Sequence, residues 1–355
     1  MKKNKMKFGL MGAWNVDSGA AIHTEILGRS LIALGHKLTV FTYMKENFHG
    51  TTILREDEDF VYRCFTTWNT PQPKFNAIPF LTADYQYFIA EDHGMFPLDC
   101  LGKIFHWIKR KAKTLTVIHD AGLKEDASFY QFDWDAIVCF DDRYRDFLVK
   151  AYPKELVHII PHPCLPWRPN DKQKARQELN LPLDKKIVFL FGQTAHFGVE
   201  IYPVLKKLSK SFPLKVLIVS KFPPTLKSWL PITQSEPIVE IRQEAPDINK
   251  LYQYLYAADT FIYHKPTTQG ITVASSIFQC LGAGCPIVAN KSNFTYPFYG
   301  KVMLYDDFGG LEKWLVAIFN ETKEYQKMMR ITKQFVTQNS GEVITKKIIG
   351  LLKKL

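Results

Sequence analysis

Short runs of apolar and β-branched residues recur along the chain, separated by stretches whose apolar positions repeat every three to four residues. The first half offers such runs at 7–12, 37–43, 85–90, 114–120, 135–140 and 156–161. The second half offers them at 186–192, 213–220, 237–241, 259–264, 285–290 and 301–305. The runs are apolar almost throughout, which is the pattern of strands covered on both faces. Alternation with helical periodicity predicts parallel sheets flanked by helices, an α/β fold class with six strands in each half.

Between the two sets lies PHPCLPWRPND at 161–171, whose four prolines resist both helix and central strand. The pattern therefore predicts two doubly wound, Rossmann-like domains, at 1–165 and 166–335. A final segment, 336–355, carries Val343, Ile344, Ile348, Leu351 and Leu352 at helical spacing and is expected to pack back toward the N-terminal domain. In open parallel sheets, ligands lie beyond the carboxyl ends of the strands, where helix N-termini also present free N–H groups. Two such domains facing each other are expected to form a cleft.

Composition narrows the picture. With 46% apolar residues in 355, the chain is long enough for two cores of ordinary size. No apolar run reaches the length that spans a bilayer, and MKKNKMKFGLMG lacks the apolar stretch of a signal peptide, so a cytoplasmic protein is expected. The six cysteines are scattered without a C-x-x-C pair, which points to buried apolar roles rather than disulfides or a structural metal. The net charge of +11 gathers at Lys2, Lys3, Lys5 and Lys7 and at LGKIFHWIKRKAK, 101–113. The second cluster reads as an amphipathic helix with a solvated basic face, or as one that touches the inner face of a membrane or a lipid-linked phosphate. No helix-turn-helix, zinc-finger or RNP signature accompanies the charge, so nucleic acid is not expected as a partner.

A nicotinamide enzyme fits the layout but not the residues. GLMGAWNVDSGAA does not contain G-x-G-x-x-G, and KLTVFTY does not end on an acidic residue.

Several ordered segments resemble the GT-B glycosyltransferases of the family 4 type. They are LIALGHKLTVF, TVIHD at 116–120, LVHIIPHPC, RQELNLPLDKKIVFLFGQ, LYQYLYAADTFIYHKP and IFQCLGAGCPIVAN. The resemblance spans nearly the whole chain. It implies a GT-B architecture and metal-independent, retaining transfer of a hexose from a nucleoside-diphosphate sugar to an acceptor hydroxyl, with no tightly bound cofactor. The donor would sit in the second domain, and a sugar, lipid-linked or other hydroxyl acceptor in the first.

The chain departs from that family at the donor motif. Gln193 stands where the resemblance implies an arginine, and Phe197-Gly198 where it implies Lys-Gly. Gln279 stands for the ribose glutamate, and Ile271 or Gln269 for the second glutamate of the pair. Chemically, such a site must meet the charge of the departing diphosphate. Lys221 and Lys265, just past strand ends, could supply cations. Gly270 to Val273, Thr272, Ser275 and Ser276 could supply neutral donors, although helix capping explains the hydroxyls equally well.

In the first domain, His119 follows a buried strand and is the candidate catalytic residue, expected to meet the donor sugar or the forming charge. Gly12, Ser18 and Gly19 form a loop that could approach the diphosphate. Glu91, Asp92 and His93, with Asp120, are candidate contacts to acceptor or sugar. The spacing of Asp92, His93, His119 and Asp120 fits no common metal-ligand pattern, so no metal is expected. The alternatives are a non-catalytic GT-B protein that binds a nucleotide or glycan or supports a partner subunit, and a nucleotide-sugar epimerase.

Overall fold

The structure is a computed structural model that describes residues 5–355 apart from 49 and 51. Lys2 and Lys3 of the basic N-terminus lie outside the described residues. The chain folds as two compact units. One comprises the chain up to Pro163 with residues 270–275 and 339–355, and the other residues 164–269 and 276–338.

The first unit is built on seven strands: β1 (Lys7–Met11), β2 (Lys37–Tyr43), β3 (Val61–Phe65), β4 (Tyr87–Glu91), β5 (Lys113–Val117), β6 (Ala136–Cys139) and β7 (Val157–Ile159). Their order is β3-β2-β1-β4-β5-β6-β7, with every neighbouring pair parallel. The winding reverses between β1 and β4, and the crevice outside a parallel sheet opens at such a point. Leu10, Val40, Phe41, Phe88, Leu115 and Val138 are buried, as the unbroken apolar runs require. Helix Gly341–Leu352 seals this unit: Ile344, Ile348, Ile349 and Leu352 join its core, and Gly341 lies so close to helix Gly19–Ala33 that a Cβ there would sit 2.5 Å from Ser30 Oγ.

Strand β3 is a seventh where sequence predicted six. It lies at the sheet edge, and only Cys64 and Phe65 are buried, while Tyr62 faces solvent and Arg63 pairs with Asp57 at 2.6 Å. Its five residues, VYRCF, set Arg63 at the centre and leave Tyr62 exposed, so no apolar run stands out.

The second unit has six parallel strands: β8 (Lys186–Phe191), β9 (Leu214–Val219), β10 (Val239–Arg242), β11 (Thr260–Tyr263), β12 (Ile287–Asn290) and β13 (Met303–Tyr305). Their order is β10-β9-β8-β11-β12-β13, which reverses between β8 and β11. Trp229 anchors one face, fully buried, with its indole N–H donating to the Ala195 carbonyl at 2.8 Å. Five of the six cysteines are buried, Cys100 is half-buried, and all are unpaired.

The basic helix forms over Leu98–Lys111 and buries Leu101, Ile104, Phe105 and Ile108. Much of its charge is used internally. Lys109 pairs with Asp133 at 2.8 Å and Asp135 at 3.3 Å, and Lys111 donates to the carbonyls of Phe80, Leu81 and Ala83. Arg110 stacks on the exposed Trp107 ring, 4.6 Å from its centroid. Among the described residues no helix is long and apolar enough to cross a membrane.

Candidate functional site

At the reversal point of the first sheet, the ends of β1, β4 and β5 gather a polar cluster inside an apolar unit. Gly12 follows β1 and lies so close to the last residue of β4 that a Cβ on it would sit 2.9 Å from Glu91 Cβ and 3.0 Å from Thr24 Oγ1. Ser18 caps the next helix, its hydroxyl accepting from the Ala21 N–H at 3.1 Å, and that helix carries His23 inward. Glu91 is fully buried. His119, just past β5, hydrogen-bonds Glu91 Oε2 through Nε2 at 3.1 Å. His23 Nδ1 approaches the same oxygen at 2.8 Å, within ion-pair distance but off the line of a hydrogen bond. Glu91 Oε1 is buried without a hydrogen-bond partner among the described residues.

Burial governs the charge of this cluster. It pushes the Glu91 carboxyl up to about 7, against the hydrogen bond and charge of His119, which pull it down. It pushes His23 down to about 3, so this imidazole is neutral at physiological pH. His162, whose ring stands edge-on 4.9 Å from His23, is also held neutral by burial and donates from Nδ1 to the Pro163 carbonyl at 2.9 Å. Phe140 packs against all three imidazoles. His119 alone among His23, Glu91 and His119 keeps solvent-facing surface, with its side chain 14% exposed.

The other candidates of the first domain divide. Asp120 pairs with Lys124 at 2.7 Å, and burial raises its carboxyl while Lys124 and the Gly94 N–H oppose the rise. Asp92 is buried in a left-handed backbone conformation, φ 66°. His93 is not placed to contact an acceptor: it is fully buried, its ring is enclosed by Phe96, Phe129, Phe132 and Trp134, and its Nε2 bonds the Phe129 carbonyl at 3.0 Å. An imidazole inside an aromatic box with one backbone partner is a core group. The loop at 68–80 likewise packs on its own unit, Phe75 stacking on Phe80 at 5.1 Å.

Residues 270–275, expected in the donor domain, pack within the first unit. Gly270 adopts φ +91° and a Cβ there would come 2.8 Å from Ala121 Cβ, so both backbone and space demand glycine. Ile271 donates its N–H to the Ala121 carbonyl at 2.8 Å, and its side chain and that of Val273 lie on the first unit's core. The Thr272 carbonyl faces Arg143 at 3.5 Å. Ser275 meets Gly19, where a Cβ would sit 2.7 Å from its hydroxyl. Gly19 and Ser275, far apart in sequence, are thus neighbours, and Ile271 is an anchor rather than a stand-in for a sugar-binding carboxylate.

The second unit's candidates sit at strand ends but share no comparable network. Gln193 follows β8 and is exposed; its carbonyl accepts from His196 Nδ1 at 2.6 Å. Lys221, past β9, and Gln269 are exposed. Lys265, past β11, is half-buried with its ammonium 3.6 Å above the Phe294 ring, and burial lowers its pKa. Gln279 lies half-buried in the seven-residue helix Ser275–Leu281, its carbonyl accepting from Tyr252.

Sequence reasoning missed two groupings. His23 lies on the same helix face as Ala20, Leu27 and Leu31, so helical spacing alone marks it as inward, but its partner is remote in sequence. In the second unit, His264 at the end of β11 bridges Tyr305 at 2.6 Å and Glu200 at 3.1 Å, next to the sheet's reversal.

No family model matches the chain. Solved structures match it over its whole length. A glycosyltransferase from Rickettsia africae ESF-5 is 14% identical with a TM-score of 0.69, covering 99% of each chain. Sucrose-phosphate synthase from Thermosynechococcus elongatus is 15% identical with a TM-score of 0.67, again over 99% of each. The catalytic domain of starch synthase IV from Arabidopsis thaliana, bound to ADP and acarbose, is 10% identical with a TM-score of 0.66 over 99% of each. With two parallel sheets of seven and six strands wound in this order, the chain has the GT-B fold of these glycosyltransferases.

Proposed function

We propose that the protein is a glycosyltransferase that moves a hexose from a nucleoside-diphosphate sugar to an acceptor hydroxyl, with retention and with no metal at the diphosphate. The observation that carries this reading is the convergence of His119, Glu91 and His23 at the reversal point of the first sheet, in a chain of GT-B fold. Burying polar groups at the end of a sheet costs folding energy, and titratable groups perturbed by burial concentrate where chemistry uses them. His119 is the group that would meet the sugar or its developing charge, and Glu91 the group that holds the imidazole in place. Lys265 and Lys221, with backbone N–H groups, would answer the diphosphate in place of the family's Arg and Lys. That one structural neighbour was solved with ADP and acarbose supports a nucleotide and a glycan as ligands.

The acceptor is a sugar, lipid-linked or other hydroxyl. A cytoplasmic enzyme that touches the inner membrane face through Trp107, Arg110 and Lys103 fits the part of the basic helix left unpaired by its own unit.

The neutral residues Gln193 and Gln279 at the donor positions favour a second reading, a GT-B protein that binds a nucleotide sugar without turning it over. A thermal-shift screen of nucleoside diphosphates and their sugars, followed by an assay for free nucleoside diphosphate with varied acceptors, separates the two. Stabilisation with turnover is expected. Stabilisation alone supports the binding protein, and no stabilisation by any nucleotide overturns both.

A further inference from the structure

We propose that His23, Glu91 and His119 form a binding site for a divalent transition-metal ion of the zinc class. The three ligand atoms, His23 Nδ1, a Glu91 carboxylate oxygen and His119 Nε2, all lie within 4.8 Å of one another. Two imidazoles and one carboxylate are a donor set that suits zinc and its neighbours and leaves a position open for water or a ligand hydroxyl.

Geometry and electrostatics both fit. Ligand atoms around a tetrahedral centre with bonds of about 2.1 Å stand roughly 3.4 Å apart. The distances here are 2.8 Å and 3.1 Å to Glu91 Oε2, so side-chain shifts of a few tenths of an ångström admit the ion. His23 lies 1% exposed and Glu91 0%, and the apolar wall of Phe140 borders both imidazoles. The independent sign of a missing partner is Glu91 Oε1, which is buried and has no hydrogen-bond partner among the described residues. Neither protonation state of the carboxyl satisfies that oxygen, because as an acceptor it has no donor and as a hydroxyl it has no acceptor. A metal bound by both carboxylate oxygens satisfies it and also offsets the burial of a negative charge. His119, the most exposed of the three, opens the coordination sphere to solvent.

The site shares His119 and Glu91 with the proposed transfer centre and uses none of the groups placed at the diphosphate, and it rests on the geometry of the three side chains whether or not sugar transfer is found. The test uses the full chain, stripped with chelator and titrated at pH 7.5 with zinc chloride by calorimetry and with cobalt chloride by visible absorption. One equivalent of metal is expected, with cobalt bands of an N/O-ligated site of low coordination number. Glu91→Gln and His119→Asn should each weaken binding by about 100-fold or more, because removing a ligand exceeds the roughly 10- to 100-fold effect of losing an outer partner. Cys100→Ser, which removes the one cysteine that is not buried, should leave binding unchanged. Near-ultraviolet circular dichroism establishes that each variant is folded. Absence of a stoichiometric site, or equal affinity in wild type and folded His119→Asn, overturns the proposal.

Discussion

The two units share an architecture and differ in how their strand ends are furnished. In the first, Glu91 is hydrogen-bonded to His119 and lies 2.8 Å from His23, and Phe140 packs against both imidazoles before any ligand arrives. In the second, His264 is buried and bonded to Tyr305 and Glu200, but the candidate donor groups Gln193, Lys221 and Gln269 stand in solvent and Lys265 rests on an aromatic face. A buried cluster is rigid and acts through fixed geometry, while exposed lysines act through charge that organises around an arriving anion. The difference teaches that substitutions in the first unit should strike the chemical step and those in the second the affinity for donor.

His119→Ala should lower kcat by about 10²- to 10³-fold, the usual cost of losing one placed donor at a reacting centre, with little change in donor affinity. Steady-state kinetics with saturating donor read it. A loss confined to KM would move His119 from chemistry to binding and erase the distinction between the units.

Gly12→Ala tests whether the first unit's cluster is as tightly built as it looks. The new Cβ would lie 2.9 Å from Glu91 Cβ, an atom close to the backbone that cannot swing aside. Overpacking of this kind costs about 1–3 kcal/mol, and urea denaturation should show it. An unchanged midpoint would mean that the end of β4 yields freely and that Glu91 is not held.

Lys265→Ala should weaken nucleoside-diphosphate affinity by about tenfold, the equivalent of roughly 1.4 kcal/mol, while kcat at saturating donor stays within a few-fold. Isothermal titration with a nucleoside diphosphate measures the first quantity. Unchanged affinity would remove Lys265 from the diphosphate and leave Lys221 as the second unit's candidate cation.

The legibility of these features in sequence follows the same division. Twelve of the strands announce themselves as runs in which apolar residues predominate, the edge strands β7, β10 and β13 among them; β3, with Arg63 at the centre of VYRCF, does not. Glu91 and His119 were legible as polar residues at the ends of buried strands, Glu91 closing β4 and His119 following β5. His23 was not, since its meaning depends on a carboxylate 68 positions away that only the fold delivers. His93 misled for the opposite reason: beside Glu91 and Asp92 it reads as polar loop, but a left-handed turn at Asp92 sends it into aromatic packing. Residues 270–275 misled because their sequence continues the second unit while Ile271 and Val273 find their apolar neighbours in the first.

The smallest expected effect concerns what holds the loop after β1. Asn15 sits there with φ 55° and is fixed by Glu25, Arg29 and Glu58. Burial would raise the Glu58 carboxyl, but hydrogen bonds from Trp14, Arg29 and Asn15 outweigh it and hold the group at about 2, below its ordinary 4.5. A depressed carboxyl contributes stability that is present above the unfolded value and lost as pH falls through the folded one. Wild type should therefore exceed Glu58→Gln in stability at neutral pH, and the gap should close between pH 4.5 and 2. Partial exposure and solvent screening keep the gap modest. Thermal denaturation of both proteins across that range measures it. A gap that persists at pH 2 would mean that Glu58 acts through shape rather than charge, and the first unit's preorganisation would then rest on packing around Gly12 and Glu91 alone.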